Sequence, residues 1–398
     1  MVESKLFQAA DLSMEVVILL FGGMAMLILG ILLFPVYAGV LPYYENGLFG
    51  LLLVIFAFQI VAMGKTPFGD FKRNGPVMFC GITVAAVGIV TCFIPDLLGN
   101  VPRMLLTLLF GVGGLFLLLQ MVLVKDKARL WRTYGGIFNY LIVACCTVYL
   151  VQILIAVLIF KPNLVPGSLV ASAALLYGLA LVYLACVLQK ISRRHPPAGQ
   201  ASDSATGLSL DNAMLLMMGV FMLLLGLLLL PVNLGLIPFS PSAQLGLLMV
   251  LFGIQMLAVG STPIGAFERS WLVILLGFVF GGLGIVSCII PGILVVALTF
   301  MVGVLNIAGG IVTIAKVSLP LLKERKSGGP IPPIRIKIDS ALLLMNILTI
   351  LFGTTMLVSN LIPGLILGAI LAANGCVLLY LLYQLETLRK VQRQEVPA

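Results

Sequence analysis

The chain has 398 residues, of which 61% are apolar and 9% charged, with a net charge of +9 and a mean hydropathy of +1.21. Soluble domains carry roughly a quarter charged residues, so a water-facing enzyme is excluded, and so are disordered and disulfide-stapled secreted chains. The charges instead cluster between apolar runs long enough to cross a bilayer repeatedly.

In chain order, uncharged stretches occupy residues 16–44, 46–64, 74–95, 104–124, 133–160 and 162–189. After a polar break, residues 212–267, 270–315 and 340–385 are each long enough for two spans, since roughly 20 residues suffice to cross. They divide at Pro238–Ser242, Pro291-Gly292 and Pro363-Gly364, which gives twelve expected helices. Hydrocarbon supplies no partner for a free N–H or C=O, and the Leu-rich runs lack the alternation of a barrel strand, so the spans are read as helices.

Lys and Arg placement sets the expected orientation. With the N-terminus inside, only Arg103 and Lys161 fall outside, and an even number of spans returns the C-terminus to the cytoplasm. The net charge is then a topological signal and requires no nucleic acid. Helix 1 follows Glu3, Lys5, Asp11 and Glu15 and exceeds the length of a signal-peptide core, so it is expected to be retained. All seven cysteines lie in apolar spans without metal or redox spacing and read as small buried hydrophobes.

An internal repeat appears at an offset of 196 residues. Gly30, Pro35, Val36, Gly39 and Pro42 recur as Gly226, Pro231, Val232, Gly235 and Pro238. Gly50, Gln59, Gly64, Thr66, Pro67, Gly69, Phe71 and Arg73 recur as Gly246, Gln255, Gly260, Thr262, Pro263, Gly265, Phe267 and Arg269. Gly88-Ile89-Val90, Cys92 and Ile94-Pro95 recur as Gly284-Ile285-Val286, Cys288 and Ile290-Pro291. About 40% of positions match without a gap over residues 30–99, which shared Leu and Val alone would not give. Gly178 and Tyr183 extend the repeat to Gly375 and Tyr380 at an offset of 197. The expected architecture is an all-α polytopic membrane protein of about twelve transmembrane helices, in two parallel six-helix repeats at residues 1–189 and 212–398. The polar segment 190–211 links them on the cytoplasmic side. Pro35, Pro95 and Pro166, each followed by a Leu-rich return, suggest three helical hairpins per repeat.

Gly64-Lys65-Thr66 has the ending of a phosphate loop, but Gln59 stands where that pattern needs Gly, and no strand precedes it. It reads instead as a helix stop followed by an N-cap and N1 pair, Thr66-Pro67. The loop Gly69-Asp70-Phe71-Lys72-Arg73-Asn74-Gly75, echoed at Gly265–Arg269, resembles the loop between helices 2 and 3 of the major facilitator superfamily, although Ala266 replaces the acid in the echo. That resemblance implies solute transport between two halves. Spaced glycines ending in Pro before a Leu/Gly-rich return, as in Gly81, Gly88, Pro95, Gly111 and Gln120, resemble the hairpin modules of HdeD-type acid-resistance membrane proteins. Residues 226–255 and 353–384 fit the same pattern.

No ionisable residue lies inside a span, only amides and hydroxyls whose expected role is interhelical hydrogen bonding. Gln59 and Gln255 are the candidates for a polar path, because the repeat places them at equivalent depths. Lys125, Lys127, Arg129, Trp131 and Arg132 form a basic inner loop suited to anionic lipid or a partner, and Lys323, Arg325 and Lys326 are the counterpart in the second half. The sole histidine, His195, lies beside prolines in the linker, and no paired carboxylates or ligand cluster point to catalysis, a metal or a cofactor. Two functions are expected. One is a non-catalytic scaffold or accessory subunit of a membrane assembly, or a stress-related hairpin-type protein. The alternative is a facilitator-like transporter of a neutral or amphipathic solute. Compact loops point to a prokaryotic inner membrane.

Overall fold

The computed structural model describes residues 8, 12–63, 65–66, 69–70, 75–123, 136–161, 165–194, 210–262, 265–266, 269–326, 333–358, 361 and 363–395. The linker after Arg194, with His195, and the basic loop from Lys125 to Arg132 lie outside these residues.

Among the described residues, twelve helices form in the expected order. They are α1 (Met14–Tyr37), α2 (Glu45–Met63), α3 (Gly75–Phe93), α4 (Val101–Leu123), α5 (Ile137–Phe160), α6 (Gly167–Arg194), α7 (Leu210–Asn233), α8 (Pro241–Val259), α9 (Trp271–Ile289), α10 (Val295–Lys326), α11 (Pro333–Leu357) and α12 (Gly364–Glu395). Eleven are long and apolar enough to cross a membrane, and α2 is a shorter apolar helix. The protein is thus an all-α, multi-pass integral membrane protein.

The proline signals end helices as expected. Pro35 and Pro231 sit in the last turns of α1 and α7. There Gly39 (φ 75°) and Gly235 (φ 73°) take the left-handed conformation that turns the chain out of the helix. Their N–H groups donate to Val36 and Val232 carbonyls at 2.9 and 3.0 Å.

The Thr-Pro pairs behave differently from expectation. Lys65–Thr66 (β1) pairs antiparallel with Gly69–Asp70 (β2), and Ser261–Thr262 (β3) with Gly265–Ala266 (β4), so Thr66 and Thr262 lie in short ladders, while Pro67 and Pro263 fall outside the described residues. The helix stop does hold at Gly260, which caps α8 in the left-handed region. The backbone groups released there find partners across a two-residue ladder, and α3 begins only at Gly75.

Helix pairing is more particular than three consecutive hairpins. α1 packs on α6, α2 on α3, α4 on α5 and α5 on α6. The same set recurs as α7 on α12, α8 on α9, α10 on α11 and α11 on α12. Glycines choose these partners by letting backbones approach closely. On α1, Gly23 faces Gly178 and Val182 of α6, and Gly30 faces Leu175. On α7, Gly219 faces Leu379 of α12, and Gly226 faces Gly368 and Ala372. Gly50 meets Gly88 and Cys92 as Gly246 meets Gly284 and Cys288, and Gly114 meets the Tyr149 carbonyl as Gly310 meets that of Asn346. Residues one repeat apart therefore make the same contacts.

The compact units do not follow the repeat boundaries. One contains α1–α6 together with α8 and α9, and the other contains α7, α10, α11 and α12. In the first, α3 packs on α8 and α2 on α9, which brings the central helices of both repeats into one core.

An added methyl tests this packing directly. At Gly226 a Cβ runs into the backbone of Ala372 and Gly368, whereas at Gly22 it meets only a Leu181 methyl at 3.8 Å. Gly226→Ala is expected to destabilise by about 1–3 kcal/mol through overpacking. Gly22→Ala should be neutral or stabilise by up to about 1 kcal/mol from helix propensity. Thermal unfolding of the two variants in detergent micelles distinguishes them.

Candidate functional site

Gln59 and Gln255 lie on α2 and α8 within one compact unit, each half-buried. A cavity of about 10 Å³ sits between α1, α2 and α8, lined by Val17, Ile18, Phe21, Ile55, Phe58, Ile254 and Leu257. Neither glutamine lines it. Its volume is about that of one water, but it offers no polar partner, so it is dry. Lys323, Arg325 and Lys326 fall on the last turns of α10, and their side chains are outside the described residues.

The intramembrane amides divide in their behaviour. Gln152 of α5 bonds between helices as expected, its Nε2 donating to the Leu109 carbonyl at 3.4 Å. That carbonyl lies in a π-helical turn, Leu108–Val112, inside α4. The wider turn disturbs the regular ladder and opens a carbonyl to a neighbouring helix. Asn306 and Asn346 depart from expectation. Their Nδ2 atoms donate to carbonyls of their own helices, Val302 at 2.8 Å and Leu342 at 2.7 Å. An asparagine is short enough to reach back one turn, which satisfies its N–H without crossing to another helix.

The most elaborate constellation lies where α2 and α8 begin and α3 and α9 end. The Tyr44 N–H donates to the Ile289 carbonyl at 2.9 Å, and the Ser240 N–H donates to that of Phe93 at 3.0 Å. Tyr44 and Ser240, like Phe93 and Ile289, are one repeat apart, so the two copies exchange reciprocal backbone bonds. Beside this exchange, the Cys92 and Cys288 thiols converge on one carbonyl, that of Ala243, at 3.8 and 3.7 Å. Cys92 Sγ is 3.8 Å from the Gly47 carbonyl, and Cys288 Sγ is 3.7 Å from that of Ala243, again equivalent positions.

Around this shared centre the two copies diverge. The first surrounds it with charge. Arg103 bonds both oxygens of Glu45 at 2.9 and 3.0 Å and lies 5.8 Å above the Phe49 ring. Asn46 donates to Asp96 at 3.0 Å. The Tyr44 hydroxyl donates to the Cys92 carbonyl at 3.2 Å. Burial, then the charge of Glu45, pushes the Tyr43 hydroxyl well above its usual range, and burial does the same for Tyr44. Both hydroxyls stay protonated at physiological pH, and that of Tyr44 is thereby kept as a donor.

In the repeat alignment, Pro241, Ser242, Gly292 and Thr299 correspond to Glu45, Asn46, Asp96 and Arg103. Ser242 and Ser287 instead bond each other's carbonyls, both at 2.8 Å. Asp96 holds φ 58° where its counterpart is Gly292 at φ 86°. Asp tolerates that left-handed conformation better than most residues. With its acid and base mutually engaged, the constellation is suited to clamping four helix ends together.

Comparison of the chain with protein-family models, with curated proteins and with solved structures finds no match. The class to which fold and sequence assign it is the multi-pass all-α membrane protein, with a polar clamp at one end of an apolar core.

Cys92 and Cys288 are fully buried, while Cys80, Cys186 and Cys376 are exposed on helix faces. A lipid-soluble maleimide is therefore expected to modify the exposed three well before the buried pair. Peptide mass spectrometry reads the order, and early modification of Cys92 or Cys288 would show that the centre is open.

Proposed function

We propose that this protein is a non-catalytic, multi-pass membrane component, a scaffold or accessory subunit of a membrane assembly or a stress-related protein of the hairpin type. One observation carries the reading. The cavity between α1, α2 and α8 is small and apolar, and neither Gln59 nor Gln255 lines it. Interior contacts elsewhere are spent on glycine-mediated backbone approach. This favours a protein whose interior holds helices together and whose outer faces meet lipid or other subunits. The faces of α4 and α5 expose Met104, Leu108, Val112 and Phe116, and Val143, Leu150, Leu154 and Val157.

In this reading the chain sits in a prokaryotic inner membrane with both termini and the linker in the cytoplasm. The basic residues Lys125 to Arg132 and Lys323 to Lys326 meet anionic lipid headgroups or a membrane partner there. The two six-helix repeats arose by duplication and insert in the same sense. No nucleic acid or cofactor takes part.

Purification in mild detergent with mass analysis tests the assignment. Stoichiometric protein partners are expected, and charge reversal at Lys125, Lys127, Arg129 and Arg132 should release them or the bound anionic lipid. A chain that always purifies alone and without bound lipid contradicts the reading. The alternative, a facilitator-like transporter of a neutral or amphipathic solute, rests on the equivalent placement of Gln59 and Gln255. On that view Gln59→Leu with Gln255→Leu abolishes solute uptake into proteoliposomes. On the scaffold view the pair changes only assembly or stability.

A further inference from the structure

The two repeats share their helix contacts, so positions where they differ in size and polarity mark where one copy holds something the other does not. One such set lies deep in the helices. In the first repeat, Phe110 of α4 and Tyr177 of α6 are buried, with ring centroids 6.0 Å apart, and Tyr149 lies on α5 between them in sequence. The equivalent positions of the second repeat are Asn306 on α10, Asn374 on α12 and Asn346 on α11. Three aromatic positions have become three asparagines, each at least nine-tenths buried.

Their depth is shared. Asn306 and Asn374 follow the starts of α10 and α12 by eleven and ten residues, and Asn346 precedes the end of α11 by eleven. At 1.5 Å per residue all three lie about 16 Å from that end of their helices, close to half the thickness of a bilayer's hydrocarbon core. The framework is tight on either side of them. Gly303 approaches Gly353, Gly310 approaches the Asn346 carbonyl, and Asn306 Cβ packs against Gly353. Asparagine is much smaller than phenylalanine or tyrosine, and α10 runs as regular helix past Asn306 where α4 widens into its π-helical turn at Phe110, so the second repeat differs there in side chain and in backbone.

The hydrogen-bond balance gives the chemistry that would suit these amides. Asn306 and Asn346 spend an amide N–H on their own helices, at 2.8 and 2.7 Å, which leaves their carbonyl oxygens as acceptors. Asn374 Oδ1 is fully buried with no partner. A buried acceptor left unsatisfied is costly, and polar groups within a bilayer are retained where they bind something. The set is uncharged and presents acceptors, so it suits a small molecule that donates hydrogen bonds and carries no charge. We infer that Asn306, Asn346 and Asn374 form a mid-membrane site for a small neutral hydrogen-bond donor, either water or a hydroxyl- or amide-bearing solute. The site belongs to α10–α12 alone and does not depend on Gln59 or Gln255, nor on whether the protein has partners.

Nuclear magnetic resonance of the full chain, labelled with ¹⁵N-asparagine in micelles, tests this. The Asn374 and Asn306 side-chain amide hydrogens are expected to show cross-peaks to a bound donor. Asn374→Leu identifies the Asn374 signal, with Asn374→Ser as the substitute should the leucine chain not fold. A cross-peak to the water resonance that survives added glycerol or urea assigns the site to water. Its replacement by a cross-peak to glycerol or urea assigns it to a solute. Asn374→Tyr restores the first repeat's residue and is expected to expel the donor, with loss of the Asn306 cross-peak. No cross-peak from these amides to water, glycerol or urea would overturn the inference, and so would an Asn306 cross-peak unchanged by Asn374→Tyr.

Discussion

Close backbone approach at glycine is the constraint from which the architecture follows. Lipid tails are as apolar as leucine, so burying leucine against leucine gives one helix little reason to prefer another. Preference comes from how nearly two backbones can meet. Gly23 against Gly178, Gly50 against Gly88, Gly226 against Gly368 and Gly303 against Gly353 each bring a main chain against a main chain. These contacts decide that α1 joins α6 and α2 joins α3, although chain connectivity alone would put α1 beside α2.

Because the contacts recur one repeat apart, the differences between copies stand out against a constant frame. At the helix ends the first copy carries Glu45, Arg103, Asn46 and Asp96, and the second carries hydroxyls and a glycine. In the membrane's middle the first carries rings and the second carries amides. The part-exposed ion pair lies at one end of the core, and amides stand in the second repeat where rings stand in the first.

Much of the architecture was legible in the letters. Charge-free runs located the helices, Pro35 and Pro231 with Gly39 and Gly235 marked where two of them stop, and matching glycines revealed the repeat. The pairing was not legible, because a glycine shows that something approaches without naming what. The reciprocal exchange was hidden for another reason. Tyr44 and Ser240, like Phe93 and Ile289, share no side-chain chemistry, and the bonds run through the backbone, which any sequence supplies. Thr66 reads in the sequence as a helix N-cap, whereas it lies in a short ladder that Gly69 and Asp70 complete. Asn306 and Asn346 read as interhelical bonds, since composition cannot tell an amide that reaches across from one that folds back, as both do here.

The central claim is that both repeats meet at a shared centre, with equivalent residues face to face, and the Cys92–Cys288 pair reports on it most directly. A protease site placed in the 190–211 linker allows the folded protein to be cut into two halves. Iodine, small and soluble in hydrocarbon, then oxidises neighbouring thiols, forming one S–S bond as it is reduced to two iodide ions with release of two protons. The account predicts that after denaturation without reductant the halves migrate together. The link should vanish in Cys92→Ser or Cys288→Ser and persist in Cys376→Ser. Halves that separate with both thiols recovered intact would contradict it.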